Sequence, residues 1–246
     1  MPERISPSDP EWWSEYGWEH IQRYNFCASY CNGASVLDYG CGVGYGADVL
    51  AGLGAKSVVG FDRDTGVIAQ AKARAQRRNL RFVDSADDLQ GNQLFDLVTA
   101  FEVIEHVESP SSAIAQFAAL LKPAGLLIIS APNKLQYTAA PEPIENEFHI
   151  NEPTYEMLIE WLSPHFEVIR EFEQSALPFM PYERDWHEYR RSLLLRAERA
   201  LRRRLSRGVT YPRPLGDLLR RTELFPLIRE RRATCHQFVF VARRNG

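Results

Sequence analysis

The chain has little that would tie it to a membrane, to an oxidising compartment or to a polyanion. Its longest apolar stretches, such as "GLLIISAP", fall far short of the ~20 residues a helix needs to cross a bilayer. The opening "MPERISPSDPEWW" lacks the charged start and apolar run of a secretory signal, which makes the cytoplasm the expected location. Only four cysteines occur, Cys27, Cys31, Cys41 and Cys235, with no CxxC pair and no zinc-ligand spacing. Buried free thiols are therefore expected, not disulfides or a metal knot. The net charge of −3 weighs against general nucleic-acid binding. No internal repeat and no low-complexity tract is visible.

What is present is a 246-residue chain, 45% hydrophobic and 25% charged, enough for one large domain with a sizeable core. Short β-branched runs alternate with segments of helical period from about Ser35 to Phe172: "SVLDYG", "GADVLAGLG", "KSVVGFD", "GVIAQAKARAQRR", "LRFVD", "LFDLVTAF", "SAIAQFAALL", "GLLIISAP", "YEMLIEWL" and "FEVIREF". That alternation predicts an α/β fold, a parallel sheet with helices on both faces. Aromatic-rich helix is expected before it, over residues 1–33, and the core over 34–175. Residues 176–233 read as a basic helical insert, with "RRSLLLRAERALRRRLSRG" its densest part. The final strand, "HQFVFVAR", lies in 234–246 and returns to the sheet.

Ligands of such sheets bind at the carboxyl ends of the strands, where strand order reverses. The first strand ends in "VLDYGCGVGYGADVL", with Gly40, Gly42, Gly44 and Gly46 in the turn. Glycines there allow positive φ and close approach of backbone to ligand. The second strand ends at Asp62 in "VVGFD", placed to accept both hydroxyl hydrogen bonds of a ribose. "GVGYGA" also scores as the GxGxxA form of a dinucleotide fingerprint, which by itself leaves the nucleoside open.

The surrounding residues decide between nucleosides. "VLDYGCGVGYG" resembles motif I of class I S-adenosylmethionine-dependent methyltransferases. "FDLVTAFEVIEHVESPSSAIAQFAALLKPAGLLIISAPN" resembles the later motifs of the family that contains the ubiquinone-biosynthesis O-methyltransferases and many glycan-cluster enzymes. The resemblance runs from about Glu19 to Gln174 and implies a Rossmann-like, doubly wound, mostly parallel seven-stranded sheet with an antiparallel last strand. It implies S-adenosyl-L-methionine as cofactor. Asp38 would help shape the pocket, and Gly40, Cys41 and Gly42 would line its methionine part. Asp62 would hold the ribose, Arg63 would lie beside the adenine, Ser85 and Ala86 would meet the adenine edge, and Phe101 would sit near the sulfonium. Two positions depart from the pattern: Asp84 stands at a common glycine, and Ala124 replaces a glycine of "KPGG".

"EHIQRYNF" resembles an amino-terminal pattern of the glycan-associated relatives. On a helix His20, Arg23 and Tyr24 share a face. That helix could close over the cofactor, with Arg23 pairing bidentately with its carboxylate, or its aromatics could simply fasten it to the core.

The stretch "TAFEVIEHVESP" follows a buried strand with Glu102, Glu105 and His106, and "NEFHINEPT" adds His149 and Glu152. If "EVIEH" begins a turn or helix at the mouth of the site, the i, i+3, i+4 spacing points Glu102, Glu105 and His106 the same way. With His149 they resemble the metal-binding tetrad of small-RNA 3′-terminal 2′-O-methyltransferases. Three roles stay open at this point. The four residues could bind magnesium or manganese, and His106, His149 and Glu105 could do acid/base work without metal. Alternatively, they could make only local hydrogen bonds.

The activity implied is methyl transfer to an oxygen of a sugar or glycan-linked small molecule. A metal-dependent RNA ribose 2′-O-methyltransferase and a non-catalytic cofactor-binding scaffold are the alternatives. The arginines of 176–233 suit an acidic acceptor such as a phosphorylated sugar, a lipid-linked glycan at a membrane surface, or RNA; a solvated face is the plain alternative.

Overall fold

Alternate residues of the central strands supply two separate apolar layers, one on each face of a single sheet. In β1 (Ser35–Tyr39) Leu37 joins one layer and Val36 the other. β4 (Phe95–Phe101) divides Val98 and Ala100 from Leu97 and Phe101, and β5 (Leu121–Pro132) divides Leu127 and Ile129 from Ile128. The two-residue period of a strand produces this split, and cover on both faces explains the almost continuous apolar runs. The coordinates are a computed structural model, which describes residues 15–89, 94–137, 148–174, 224–226 and 237–246.

β2 (Ser57–Phe61), β3 (Leu80–Val83), β6 (Phe166–Gln174), β7 (Leu224–Pro226) and β8 (Gln237–Arg244) complete the sheet, in the order β3-β2-β1-β4-β5-β8-β6-β7. The first five strands run parallel, and β8 is antiparallel to both β5 and β6. The expected seven strands are all present with the last reversed. A short β7 adds an eighth, antiparallel to β6 at the edge. It lies within 176–233, read from the sequence as a basic helical insert, and is the one part of that segment that the structure describes. The basic amphipathic helix expected in that segment lies outside the described residues.

On the Val36 face pack α1 (Glu15–Phe26), α2 (Ala28–Cys31), α3 (Tyr45–Gly52) and α4 (Thr65–Arg74), through residues such as Tyr24, Cys31, Leu50 and Ile68. The Leu37 face takes α5 (Pro110–Leu120) and α7 (Tyr155–Leu162), through Ile114, Phe117, Leu158 and Leu162. A one-turn α6 (Lys134–Tyr137) follows β5. Side-chain caps start two of these helices: Asp64 accepts from the backbone N–H of Gly66 and Val67, and Thr154 from that of Met157. Cys27, Cys31 and Cys41 are buried free thiols, as expected; Cys235 lies outside the described residues.

β1 has β2 on one side and β4 on the other, and β4 leads away to β5. Strand order therefore reverses between β1 and β4, which is where the loops leaving the sheet's carboxyl edge part and leave a crevice.

Candidate active site

The glycine turn after β1 is held from three directions. Asp38, fully buried near the end of β1, accepts from Thr99 Oγ1 of β4 at 2.8 Å and lies 3.2 and 3.3 Å from the Tyr24 hydroxyl of α1. Burial pushes the Asp38 carboxyl up to about 7, while the Thr99 and Tyr24 bonds pull the other way. Beyond it the backbone turns with φ of 74° at Gly40 and 53° at Gly42, a region that favours glycine. Asp62, just past the end of β2, receives the Gly42 N–H on Oδ2 and the Asp64 N–H on Oδ1, both at 3.0 Å. The acidic group expected at a ribose thus also fixes the turn that would cradle the methionine end.

The other expected cofactor residues stand at the same edge of the sheet. Cys41 is buried in the turn, and burial raises its thiol. Arg63 is exposed one residue past Asp62. Ser85 and Ala86 follow β3; Ala86 begins a 3₁₀ turn over Ala86–Leu89, and Ser85 Oγ accepts from the Asp87 N–H. Phe101 closes β4, buried and edge-on to Tyr24 with ring centroids 5.0 Å apart.

Arg23 of α1 is 0% exposed. Its Nη1 donates to Gln174 Oε1 at 2.8 Å and to Gln237 Oε1, and lies 3.7 Å from Glu102 Oε1. Among the described residues its Nε and Nη2 have no hydrogen-bond partner. His20 bonds to the Tyr45 hydroxyl at 2.8 Å, and burial, then the charge of Arg23, lowers its pKa. All three residues singled out on "EHIQRYNF" therefore reach inward and join the helix to the turn and to the strands.

Glu105, His106 and His149 do converge: one potential ligand atom from each lies within 4.8 Å of the others. His106 and Glu105 belong to a 3₁₀ turn, Ile104–His106. The segment bearing His149 is pinned beneath it, with the Ile150 and Asn151 N–H groups both donating to Glu105 O. The imidazole rings meet edge to face at 4.9 Å. His106 Nδ1 bonds to Phe148 O at 2.8 Å and His149 Nδ1 to Glu152 Oε1 at 2.7 Å. Both Glu105 oxygens are buried without a hydrogen-bond partner among the described residues, and burial, reinforced by Glu102, raises its pKa well above the usual carboxylate range.

Glu102 corrects the expected fourfold set. It has φ of 53°, outside any helix, so the i, i+3, i+4 argument does not apply to it. Its carboxylate instead accepts from Ser130 Oγ at 2.6 Å and Gln237 Nε2 at 2.8 Å, beside Arg23. Among the described residues the cluster able to hold an ion is Glu105, His106 and His149.

A family profile described as "Methyltransferase domain" matches residues 14–200. The chain belongs to that methyltransferase family. It is 34% identical, over 133 residues, to a probable S-adenosylmethionine-dependent methyltransferase of Mycolicibacterium smegmatis, covering 54% of this chain and 51% of that one. Over 124 residues it is 36% identical to the mitochondrial ubiquinone biosynthesis O-methyltransferase of Dictyostelium discoideum, covering 44% and 39%. The chain thus spans about half the length, or less, of these curated relatives. Its fold matches that of the N-methyltransferase NodS from Bradyrhizobium japonicum WM9 with a TM-score of 0.56 at 16% identity, covering 94% and 97%.

S-adenosylmethionine fits the residues present. Open space stands where a side chain at Gly42 would be, Asp62 ends the neighbouring strand, and a buried cation edge on Arg23 has no protein acceptor.

Thr99, Ser130, Gln174 and Gln237 were not foreseen as site residues. The signal was faint: each is a polar group at or beside a strand or loop end that is otherwise apolar, and their partners are far away in sequence.

Proposed function

We propose that the protein transfers a methyl group from S-adenosylmethionine to a hydroxyl oxygen of a sugar or glycan-linked acceptor. Bound in the crevice, the cofactor supplies an electrophilic methyl on a sulfonium. The residues that would hold it are Asp62 at the ribose, the Gly40–Gly42 backbone at the methionine part, and Arg23, through its Nε and Nη2 edge, at the carboxylate.

The observation that carries transfer to oxygen is the convergence of Glu105, His106 and His149. A hydroxyl is a weak nucleophile until its proton is taken, and a histidine in reach can take it. Alternatively a divalent ion on these three residues would lower the hydroxyl's pKa and orient it. The bonds from Nδ1 to Phe148 O and Glu152 suit either role, since an acceptor on one ring nitrogen fixes the tautomer and turns the other nitrogen toward the site. The sugar assignment draws on "EHIQRYNF" and "NEFHINEPT". The arginine-rich sequence of 176–233 would favour an acidic acceptor.

A metal-dependent RNA ribose 2′-O-methyltransferase is the second reading, supported by three of the four tetrad positions standing together. The test is labelled methyl transfer onto nucleotide sugars, glycans, small phenols and RNA, each with and without magnesium or manganese. Transfer to a sugar hydroxyl is expected. Transfer confined to RNA, or to nitrogen acceptors, would overturn the first reading, and cofactor binding with no transfer to any class would leave a scaffold.

A further inference from the structure

Arg23 is fully buried, yet only one of its three nitrogens is held. Nη1 takes Gln174 Oε1, Gln237 Oε1 and the nearby Glu102 carboxylate, whereas Nε and Nη2 have no partner among the described residues. Those two form the side-on edge of a guanidinium, whose parallel N–H bonds match the two oxygens of one carboxylate. Buried donors without acceptors are costly, so an arriving carboxylate would satisfy what the fold leaves open.

The acceptors on Nη1 are themselves locked. Gln174 and Gln237 are register partners at the ends of β6 and β8. Gln174 Nε2 donates to Glu19 O at 2.9 Å and Gln237 Nε2 to Glu102 Oε2 at 2.8 Å. Turning either amide over would set an NH₂ against the guanidinium and a carbonyl against an acceptor, so the network admits one orientation. Glu102 is fixed in turn by Ser130 and balances the Arg23 charge from the Nη1 side without occupying the open edge. The acceptors thus lie on one side of the guanidinium and none on the other.

We infer that Gln174 and Gln237 are positioning residues for cofactor capture: by holding Nη1 they aim the Nε and Nη2 edge of Arg23 at the carboxylate of S-adenosylmethionine. The inference rests on the reading of Arg23 given under Proposed function. It adds that β6 and β8, which carry none of the motif residues, set cofactor selectivity.

The experiment compares two ligands by calorimetry: S-adenosylhomocysteine, and its decarboxylated analogue, which keeps the adenosine, thioether and amine. Gln174→Met and Gln237→Met keep length and volume and remove the acceptor. Each is expected to weaken S-adenosylhomocysteine about tenfold, the order expected for loss of a hydrogen bond to a charged group, and to leave the analogue unchanged. Arg23→Lys should likewise erase the preference for the carboxylated ligand. If Arg23→Lys keeps that preference, the Arg23 reading fails and this inference with it. If Arg23→Lys loses it while both methionine variants keep it, the glutamines only fasten the sheet to α1, and the positioning role is wrong. Should a methionine variant fail to bind the analogue, Gln174→Glu keeps an acceptor for Nη1: a near-native preference supports positioning, and a tenfold fall overturns it.

Discussion

The ring of Tyr24 lies against Gly46: a Cβ placed at Gly46 would stand 1.9 Å from Tyr24 Cζ. The same ring reaches the Asp38 carboxylate with its hydroxyl and meets Phe101 with its edge. One side chain therefore docks α1 on α3, on the end of β1 and on the end of β4. Gly46→Ala forces the ring away. Overpacking of this kind costs about 1–3 kcal/mol, so thermal denaturation should show a lower Tm, and calorimetry weaker S-adenosylhomocysteine binding. Native values for both would mean that α1 is not anchored through this contact.

Asp62→Ala removes the acceptor proposed for the ribose and also frees the Gly42 and Asp64 N–H groups. Loss of hydrogen bonds to a charged group costs roughly 1.5–3 kcal/mol, about 10- to 150-fold in affinity. Calorimetry with S-adenosylhomocysteine measures it. Native affinity in the variant, or tight NAD binding by the wild type, would contradict the assignment of the crevice.

The histidines separate chemistry from binding. His149→Ala and His106→Ala should each lower kcat about 100- to 10,000-fold, the span of general acid–base contributions, while S-adenosylhomocysteine affinity stays native. Dialysis against a chelator then divides the two mechanisms. Activity lost and restored by manganese or magnesium assigns an ion to Glu105, His106 and His149, whereas full activity in excess chelator leaves proton transfer by histidine.

The Asp38 carboxyl should contribute a loss of stability as pH rises across the acidic range. Asp38 titrates near 3.8 when unfolded and at about 7 in the folded chain. Between those values the native state holds the extra proton, so unfolding becomes easier as pH rises. The penalty is absent below about pH 4 and complete above about pH 7, and each unit of raised pKa contributes about 1.4 kcal/mol. Glu105, raised by burial, adds a dependence of the same sign. His20, lowered by burial, acts in the opposite sense, so the comparison carries the test: between pH 5 and pH 8 in urea unfolding, the wild type should lose more stability, or gain less, than Asp38→Asn.

Ala124 carries φ of 58° in the turn that shifts the register of β5 against β4. A left-handed backbone costs a residue with a Cβ about 1–2 kcal/mol, partly offset by the greater entropy glycine loses on folding. Ala124→Gly should therefore raise stability by about 0.5–1 kcal/mol in urea unfolding. A drop would mean that the methyl's packing outweighs its strain.

Much of the fold was legible in the order of short β-branched runs and helical segments, because strand and helix periods are local properties. The glycine turn and Asp62 were legible for the same reason: the turn needs glycines at fixed offsets, and the acid stands at the next strand's end. The family resemblance marked Ala124 as standing at a glycine's position, and its φ is positive.

Where the spacing argument failed, at Glu102, a local rule met a tertiary one. "EVIEH" can be helical by its sequence, but β4 ends with Glu102 already drawn to Ser130 and Gln237, hydrogen-bonded partners 28 and 135 residues distant. A helical period cannot report bonds that exist only once β5 and β8 lie beside β4. The same holds for Arg23, whose helix face was readable but whose orientation depends on Gln174 and Gln237, 151 and 214 residues on. The sequence by itself determined the layers, the crevice and the acid at its rim, since those follow from patterns within a few residues. Only the tertiary structure decided which buried charges are satisfied and which lack a partner among the described residues, because a hydrogen bond across the sheet depends on strand order, not on spacing along the chain.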